Sequence, residues 1–135
     1  MKKTLIILFI LMIALGVIGC SNLKEVSKQD IVDKVYVYEK DGCGSEFIIK
    51  INADGTFTYS EGVFSSHAGI GEWTYSEGML TLFENSFQVN EKNEWEEVIN
   101  SYNFSVTKNA LIFVNEDSDN FIYVEVKDGE KFFVQ

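Results

Sequence analysis

The sequence has 135 residues, which is enough for about one domain. It contains 21 acidic residues against eleven lysines and no arginine, and its formal net charge is −10. Because nucleic acids and anionic membrane surfaces are themselves negative, this balance excludes a nucleic-acid-binding protein and a protein attached to a membrane by surface charge.

The first predicted element is an N-terminal secretory signal. Two lysines follow the initiator methionine, and residues 5–18 are almost entirely apolar. This run is shorter than the ~20 apolar residues that a membrane-spanning helix needs. It also ends at Gly19 and Cys20 rather than at a basic flank. The pattern therefore predicts a cleaved signal-peptide helix over 1–19 and not a retained membrane span.

The end of this leader carries a more specific motif. Val17-Ile18-Gly19-Cys20 resembles the bacterial lipobox, in which an aliphatic, a variable and a small residue precede the cysteine. The resemblance implies cleavage before Cys20 and a diacylglycerol thioether on its sulfur. Two acyl chains attach a protein stably to a membrane, whereas one does not. We therefore expect a lipid-anchored protein on the extracytoplasmic face of the cell membrane, with the lipid as its membrane contact.

The segment after the lipidated cysteine is expected to be a tether. Residues 20–33 are mostly polar and lack periodicity, which is typical of a linker, and the folded domain is predicted over 34–135. With Cys20 occupied by lipid, Cys43 has no second cysteine to pair with, so no internal disulfide is expected. Cys43 lies between two glycines and is interpreted as an unpaired loop thiol.

From residue 34 onward, apolar and polar residues alternate with a period of two, which is typical of half-buried β-strands. Strands are predicted at residues 35–39, 46–52, 56–60, 70–75, 80–83, 95–106, 111–114 and 121–126, with a ninth at 131–134. Residues 86–93 fit either a prolonged strand or a loop. The strongest turn signal is Asp54-Gly55, which is typical of a β-hairpin.

The spacing of these strands predicts the architecture. Consecutive strands joined by short turns most simply pair with their chain neighbours. The expected fold class is therefore all-β: an antiparallel meander of eight or nine strands that curls into a small lipocalin-like barrel or half-barrel. Eight strands enclose either packed side chains or one small ligand, and the sequence leaves both open.

A family resemblance supports the same fold. Ile-x-Ile-Asn-x-Asp-Gly-Thr-Phe at 49–57 and Gly-Ile-Gly-Glu-Trp-x-Tyr at 69–75 are similar to motifs of small bacterial lipocalin-like domains. The apolar alternations at 80–82, 104–106, 111–113 and 121–124 fit that series of strands. Residues 38–131 also resemble uncharacterised extracellular domains of Firmicutes, some of which are fused behind membrane sensor peptidases of the antibiotic-resistance-receptor kind. This resemblance implies an envelope-stress or resistance accessory as an alternative role.

Residues that could support catalysis or bind a metal are few. Ser66 and His67 are adjacent, but a Ser-His-acid hydrolase would need a nucleophile turn such as Gly-x-Ser-x-Gly, which the sequence lacks. One histidine and one free cysteine are too few for a zinc site. The acidic loop 115–120 lacks the glycine and the trailing glutamate of an EF-hand. We therefore expect no enzyme, no metal and no cofactor.

The loop 61–71 is the candidate recognition loop, because it is long, rich in small residues and holds several apolar side chains. Its candidate contact residues are Val63, Phe64, Ser66, His67 and Ile70. The expected function is a non-catalytic binding module for a small apolar ligand or a protein partner. An open apolar cavity would favour the ligand, whereas a filled barrel with an exposed aromatic patch would favour the protein partner. A buried, aligned Ser-His-acid set would favour a hydrolase.

Overall fold

The computed structural model describes residues 26–39, 46–62 and 66–135. The predicted signal-peptide helix, Cys20 and Cys43 lie outside these residues, and so do Val63 and Phe64 of the recognition loop. What the sequence predicts for them stays a prediction.

Eight antiparallel strands form a closed barrel, and each strand pairs with its neighbours in the chain. The strands are β1 Lys34–Glu39, β2 Glu46–Ile51, β3 Thr56–Ser60, β4 Ala68–Ser76, β5 Met79–Val89, β6 Trp95–Val106, β7 Ala110–Val114 and β8 Lys131–Val134. The last strand pairs with the first, which closes the barrel. The predicted all-β antiparallel meander barrel is confirmed.

The alternation of side chains sets the inner face of the barrel. Phe47, Ile49 and Ile51 of β2 are buried, and they stand beside Phe57 and Tyr59 of β3. Burial at every second residue follows from the pleat of a strand, which sends successive side chains to opposite faces. The same period of two that identified these strands in the sequence therefore also identifies their buried side.

The predicted eighth strand at 121–126 is wrong. These residues form no strand, and β7 pairs instead with Lys131–Val134. Phe121 and Val126 are buried against the barrel, which satisfies their apolar character without strand pairing. The backbone N–H groups of residues 122–124 bond to the carboxylate of Glu61. A side-chain acceptor has therefore taken the place of a neighbouring strand.

The two ends of the barrel differ. At the end that we call N-terminal lie the tight turns β2–β3, β4–β5 and β6–β7 and a short 3-10 helix, Lys28–Asp30. At the opposite, distal end lie the β3–β4 connection, the β5–β6 hairpin and the long segment between β7 and β8. Val26, the first described residue, lies at the N-terminal end, where its carbonyl accepts a hydrogen bond from the Tyr75 hydroxyl.

The described part of the predicted tether is folded onto the N-terminal end. Ile31 is fully buried in the core, and the Tyr75 hydroxyl donates a hydrogen bond to the Val26 carbonyl at 2.6 Å. The Lys28 ammonium lies 4.7 Å from the centre of the Trp73 ring, which is a cation–π distance. Residues 26–33, which the sequence assigns to the tether, are thus packed on the barrel.

Aromatic side chains fill the described barrel interior. Phe132 lies at its centre, with ring centroids 5.1 Å from Phe47 and 5.5 Å from Phe104 in edge-on geometry. Tyr36, Phe57 and Phe113 are also buried almost completely. A cavity of about 600 Å³ lies instead at the outer seam of β1 and β8, beside the exposed ring of Phe133. The interior is therefore packed with side chains, which was one of the two alternatives that the sequence left open.

Candidate functional site

The recognition loop brings His67 to the distal mouth of the barrel. Its Nε2 lies 3.1 Å from the Tyr59 hydroxyl and 3.8 Å from the Glu61 carboxylate. Ser66 is exposed next to it. Ile70, by contrast, lies on β4 and is 65% exposed on the outer surface. The structure therefore does not bring the described residues of the predicted recognition loop together. His67 lies at the distal mouth, whereas Ile70 lies on the outer wall.

Glu61 fixes the β7–β8 segment over this mouth. Its side chain is buried, and its carboxylate accepts hydrogen bonds from the backbone N–H groups of Ile122, Tyr123 and Val124 at 3.2, 2.6 and 2.8 Å. Hydrogen bonds to an ionised acceptor are roughly twice as strong as neutral ones. Residues 122–124 of the segment are therefore held by one carboxylate, and Phe121 precedes them directly and is buried in the barrel.

Glu84 is a second buried carboxylate, at the distal end of the inner face of β5. It accepts hydrogen bonds from the Tyr59 hydroxyl at 3.0 Å, the Tyr102 hydroxyl at 2.8 Å and the Asn100 amide at 3.5 Å. Gly69 makes this arrangement possible, because a Cβ at that position would overlap the Tyr59 ring and the Glu84 carboxylate. Burial of the Glu84 carboxylate is tolerated because its oxygens accept hydrogen bonds from these side chains.

The hydroxyls around Glu84 act as donors. Burial raises the pKa of Tyr59 and of Tyr102 well above the ordinary tyrosine value, and the Glu84 carboxylate raises both further. Because the single Tyr59 proton is directed to Glu84, the hydroxyl oxygen accepts from His67, and Nε2 therefore carries a proton. Within the described part of the chain, every buried side-chain nitrogen and oxygen has a hydrogen-bond partner. Such satisfied networks are typical of structural polar clusters.

A two-stranded ribbon extends past the barrel at the distal end. β4 pairs with β5 only as far as Glu84, and β7 pairs with β6 only as far as Asn103. β5 and β6 continue to pair with each other up to Val89 and Trp95. The tip, residues 90–94, is ordered by Asn90, whose side-chain oxygen accepts from two backbone N–H groups at 3.0 Å each. We call residues 85–99 the ribbon.

The outer face of the ribbon is apolar and exposed. Leu80, Leu82 and Glu84 point inward, so the alternate positions of β5 point outward, as do their cross-strand partners on β6. Trp95 is 74% exposed, and Phe87 and Ile99 are each 65% exposed. The full patch comprises Ile70, Phe83, Phe87, Val89, Trp95 and Ile99. A contiguous exposed patch of this kind is typical of an interaction surface.

Acidic residues surround this patch. The ribbon carries four glutamates, Glu91, Glu94, Glu96 and Glu97, against the single lysine Lys92. Glu97 stands directly opposite Phe87 on the outer face. The surface therefore combines large apolar side chains with a negative rim, which complements a surface that is apolar and positively charged.

Other kinds of site find less support. Among the described residues, no helix is long and apolar enough to cross a membrane. The same residues contain no group of three or more histidine, cysteine or acidic side chains placed to hold a metal ion. In the acidic loop 115–120, the Asp119 carboxylate accepts a hydrogen bond from the Ser101 backbone at 2.6 Å. This carboxylate therefore joins the loop to β6.

The fold and site together define a closed β-barrel with an aromatic interior, a distal mouth at which Glu61 bonds the β7–β8 segment, and an exposed apolar ribbon. The chain matches no protein-family model, no curated protein and no solved structure.

Proposed function

We propose that this chain is a lipoprotein anchored through Cys20 on the extracytoplasmic face of the membrane, and that it is a non-catalytic binding module for a protein partner. The observation that carries the proposal is the outer face of the ribbon, where Phe87, Trp95 and Ile99 are each at least 65% exposed. Aromatic anchors of this kind dominate the energetics of protein interfaces.

The packed interior supports a protein partner over a small apolar ligand. A ligand inside the barrel would have to displace buried rings such as Phe47, Phe104 and Phe132. Small-molecule sites are usually preformed cavities. The outer face of the ribbon, by contrast, is accessible to a partner without rearrangement of the core.

The position of the anchor supports presentation of the ribbon away from the membrane. Val26 lies at the N-terminal end, and the six residues from Cys20 to Val26 can span at most about 20 Å. β6 has twelve residues, so its distal end lies about 40 Å from its N-terminal end. The negative rim also disfavours insertion of the ribbon into an anionic bilayer. The partner would accordingly be a protein in the extracytoplasmic space.

The anchoring part of the proposal predicts a difference between the two cysteines. Cys20→Ala should abolish incorporation of a palmitate analogue and release the chain from the membrane fraction of a bacterial host. Cys43→Ala is the matched control and should be labelled like the wild type, because it lies outside the lipobox. Labelling of the Cys20→Ala variant, or an unlabelled wild type, would contradict lipid attachment at Cys20.

A further inference from the structure

We infer that the exposed edge of β6 in the ribbon, Trp95 to Ile99, binds an extended segment of the partner as an added β-strand. This inference rests on the proposed function and specifies how the ribbon would bind. The segment would carry two adjacent basic residues flanked by apolar residues, so the partner belongs to the class of proteins that present an extended chain with a pair of lysines or arginines between apolar residues.

The backbone of β6 provides the first argument. Next to the point where β7 ends, the Ser101 carbonyl accepts a hydrogen bond from Asp119 at 2.7 Å, and the Ser101 N–H donates to the Asp119 carboxylate. The Asn103 N–H donates to the Ser118 hydroxyl at 2.9 Å. In an antiparallel strand, alternate residues direct their backbone groups to the same edge. The backbone N–H and C=O groups are therefore directed to this edge at Ile99, Glu97 and Trp95 as well.

The edge of β6 that faces β7 extends past the last residue pair between the two strands. Among the described residues, β6 has β5 as its only paired strand from Trp95 to Tyr102. Natural proteins usually protect such an edge with charged side chains (most often lysine), with proline or with a bulge, and the charges on this edge are those of Glu96 and Glu97. The chain has no proline, and residues 95–99 contain no lysine. Exposed edges of this type are the sites at which extended peptides add to a sheet.

The side chains define the chemistry of the added strand. On the outer face, the order along β6 is Trp95, Glu97 and Ile99, and on the opposite face it is Glu96 and Val98. Cross-strand neighbours stabilise a sheet when apolar residues meet apolar residues and opposite charges meet. A strand beside this edge would therefore place apolar side chains next to Trp95 and Ile99 and basic side chains next to the two glutamates.

A second copy of this chain fits the edge poorly. Antiparallel pairing of two β6 edges about Glu97 would place the two Glu97 carboxylates opposite each other, with a Glu96 beside each of them. Like charges directly opposite each other destabilise a strand pair. The net charge of −10 adds to this repulsion. Charge complementarity thus selects a basic partner.

The test uses fluorescein-labelled nine-residue peptides and the full chain in nanodiscs of neutral phosphatidylcholine. Anisotropy is measured at 0.15 M salt. A peptide of sequence Thr-Thr-Val-Val-Lys-Lys-Val-Thr-Thr, which can place its lysines opposite Glu97 and Glu96, should bind at least tenfold more tightly than a peptide of the same composition with one lysine at each end. Methylation of its backbone nitrogens at alternate residues should weaken binding at least tenfold, because those nitrogens could no longer donate to the β6 edge.

Two charge variants separate strand addition from general attraction. Glu97→Lys on the edge should weaken binding of the peptide with the central lysine pair at least tenfold, whereas Glu91→Lys at the tip changes the charge equally and should weaken it less than threefold. Equal weakening by both variants would overturn the inference. So would equal binding of the methylated peptide, or failure of the peptide with the central lysine pair to bind.

The proposed function is judged separately, by photo-crosslinking from Phe87. If crosslinking from Phe87 succeeds but the methylated peptide binds as well as its parent, the ribbon binds a protein and strand addition is wrong. If no crosslink forms, the proposed function fails first. Self-association of the full chain is measured for the wild type and for Glu97→Lys. If the chain self-associates and the substitution changes the affinity, the edge binds a second copy of the chain, and the inference of a basic partner is wrong.

Discussion

Phe121→Ala should lower the free energy of unfolding by about 3–5 kcal/mol, as truncations of buried phenylalanines do. The Phe121 ring is stacked on Tyr102, with centroids 4.1 Å apart, and meets Phe47 edge-on at 4.7 Å. It also contacts Tyr59 and Phe113. Alanine would remove all four ring contacts and leave a cavity at the distal mouth that the rigid barrel wall cannot close.

Chemical denaturation monitored by circular dichroism measures this loss. Ile122→Ala is the matched control, because Ile122 follows Phe121 directly but is 54% exposed. Its effect should stay within about 0.5 kcal/mol. A loss below 1 kcal/mol for Phe121→Ala, or equal losses for both variants, would mean that the segment does not seal the barrel.

The second large effect is a loss of stability at alkaline pH. Burial raises the pKa of Tyr36 to about 12, and it raises the pKa values of Tyr59 and Tyr102 as well. In the unfolded chain, tyrosine ionises near pH 10. Above that pH the unfolded state loses protons that the folded state keeps, so the free energy of unfolding falls as the pH rises. Each of the three tyrosines adds about 1.4 kcal/mol per pH unit to the fall.

Urea denaturation at a series of pH values from 7 to 12 measures this slope. The contribution of these tyrosines to the free energy of unfolding is fully present below pH 10 and is lost as the pH rises above it. Ionisation of their phenols, followed by absorbance at 295 nm, should coincide with unfolding. In Tyr59→Phe/Tyr102→Phe the decline above pH 10 should be about two thirds shallower, because only Tyr36 remains of the three tyrosines whose raised pKa values cause it. A decline as steep as that of the wild type would show that these hydroxyls are not the cause.

The sequence predicts the strands well where the alternation of side chains alone decides them. The sixth strand was predicted at 95–106 and is found at Trp95–Val106. The alternation fails at 121–126, because burial of Phe121 and Val126 produces the same pattern as a strand would. What distinguishes the two cases is the acceptor of the backbone N–H groups. For residues 122–124 that acceptor is Glu61, which lies 61 to 63 residues earlier in the chain.

The buried glutamates show which parts of the site the sequence could have indicated. Glu84 follows Leu80 and Leu82 on the inward positions of β5, so the period of two places it inside the barrel. Its partner Tyr102 lies on the inward positions of β6 in the same way. Glu61 follows the last residue of β3, where the alternation ends, and nothing in the sequence separates it from the 20 other acidic residues.

The ribbon could not be recognised from the sequence, because it depends on the unequal lengths of neighbouring strands. Phe87 and Val89 belong to a stretch that fitted either a strand or a loop. Their exposure follows from the fact that β5 continues for five residues after its last pair with β4 at Glu84. The predicted lipobox shows the reverse case, since the motif ending at Cys20 is read from the sequence alone.

Site-specific photo-crosslinking in intact cells tests most directly whether the ribbon binds a protein. A photoreactive benzoylphenylalanine replaces Phe87 on the ribbon or, as a control, Thr74, which is exposed on β4 nearer the N-terminal end. We expect ultraviolet light to produce one adduct of discrete mass from position 87 and none from position 74. The absence of an adduct from position 87, or the same adduct from both positions, would contradict recognition by the ribbon.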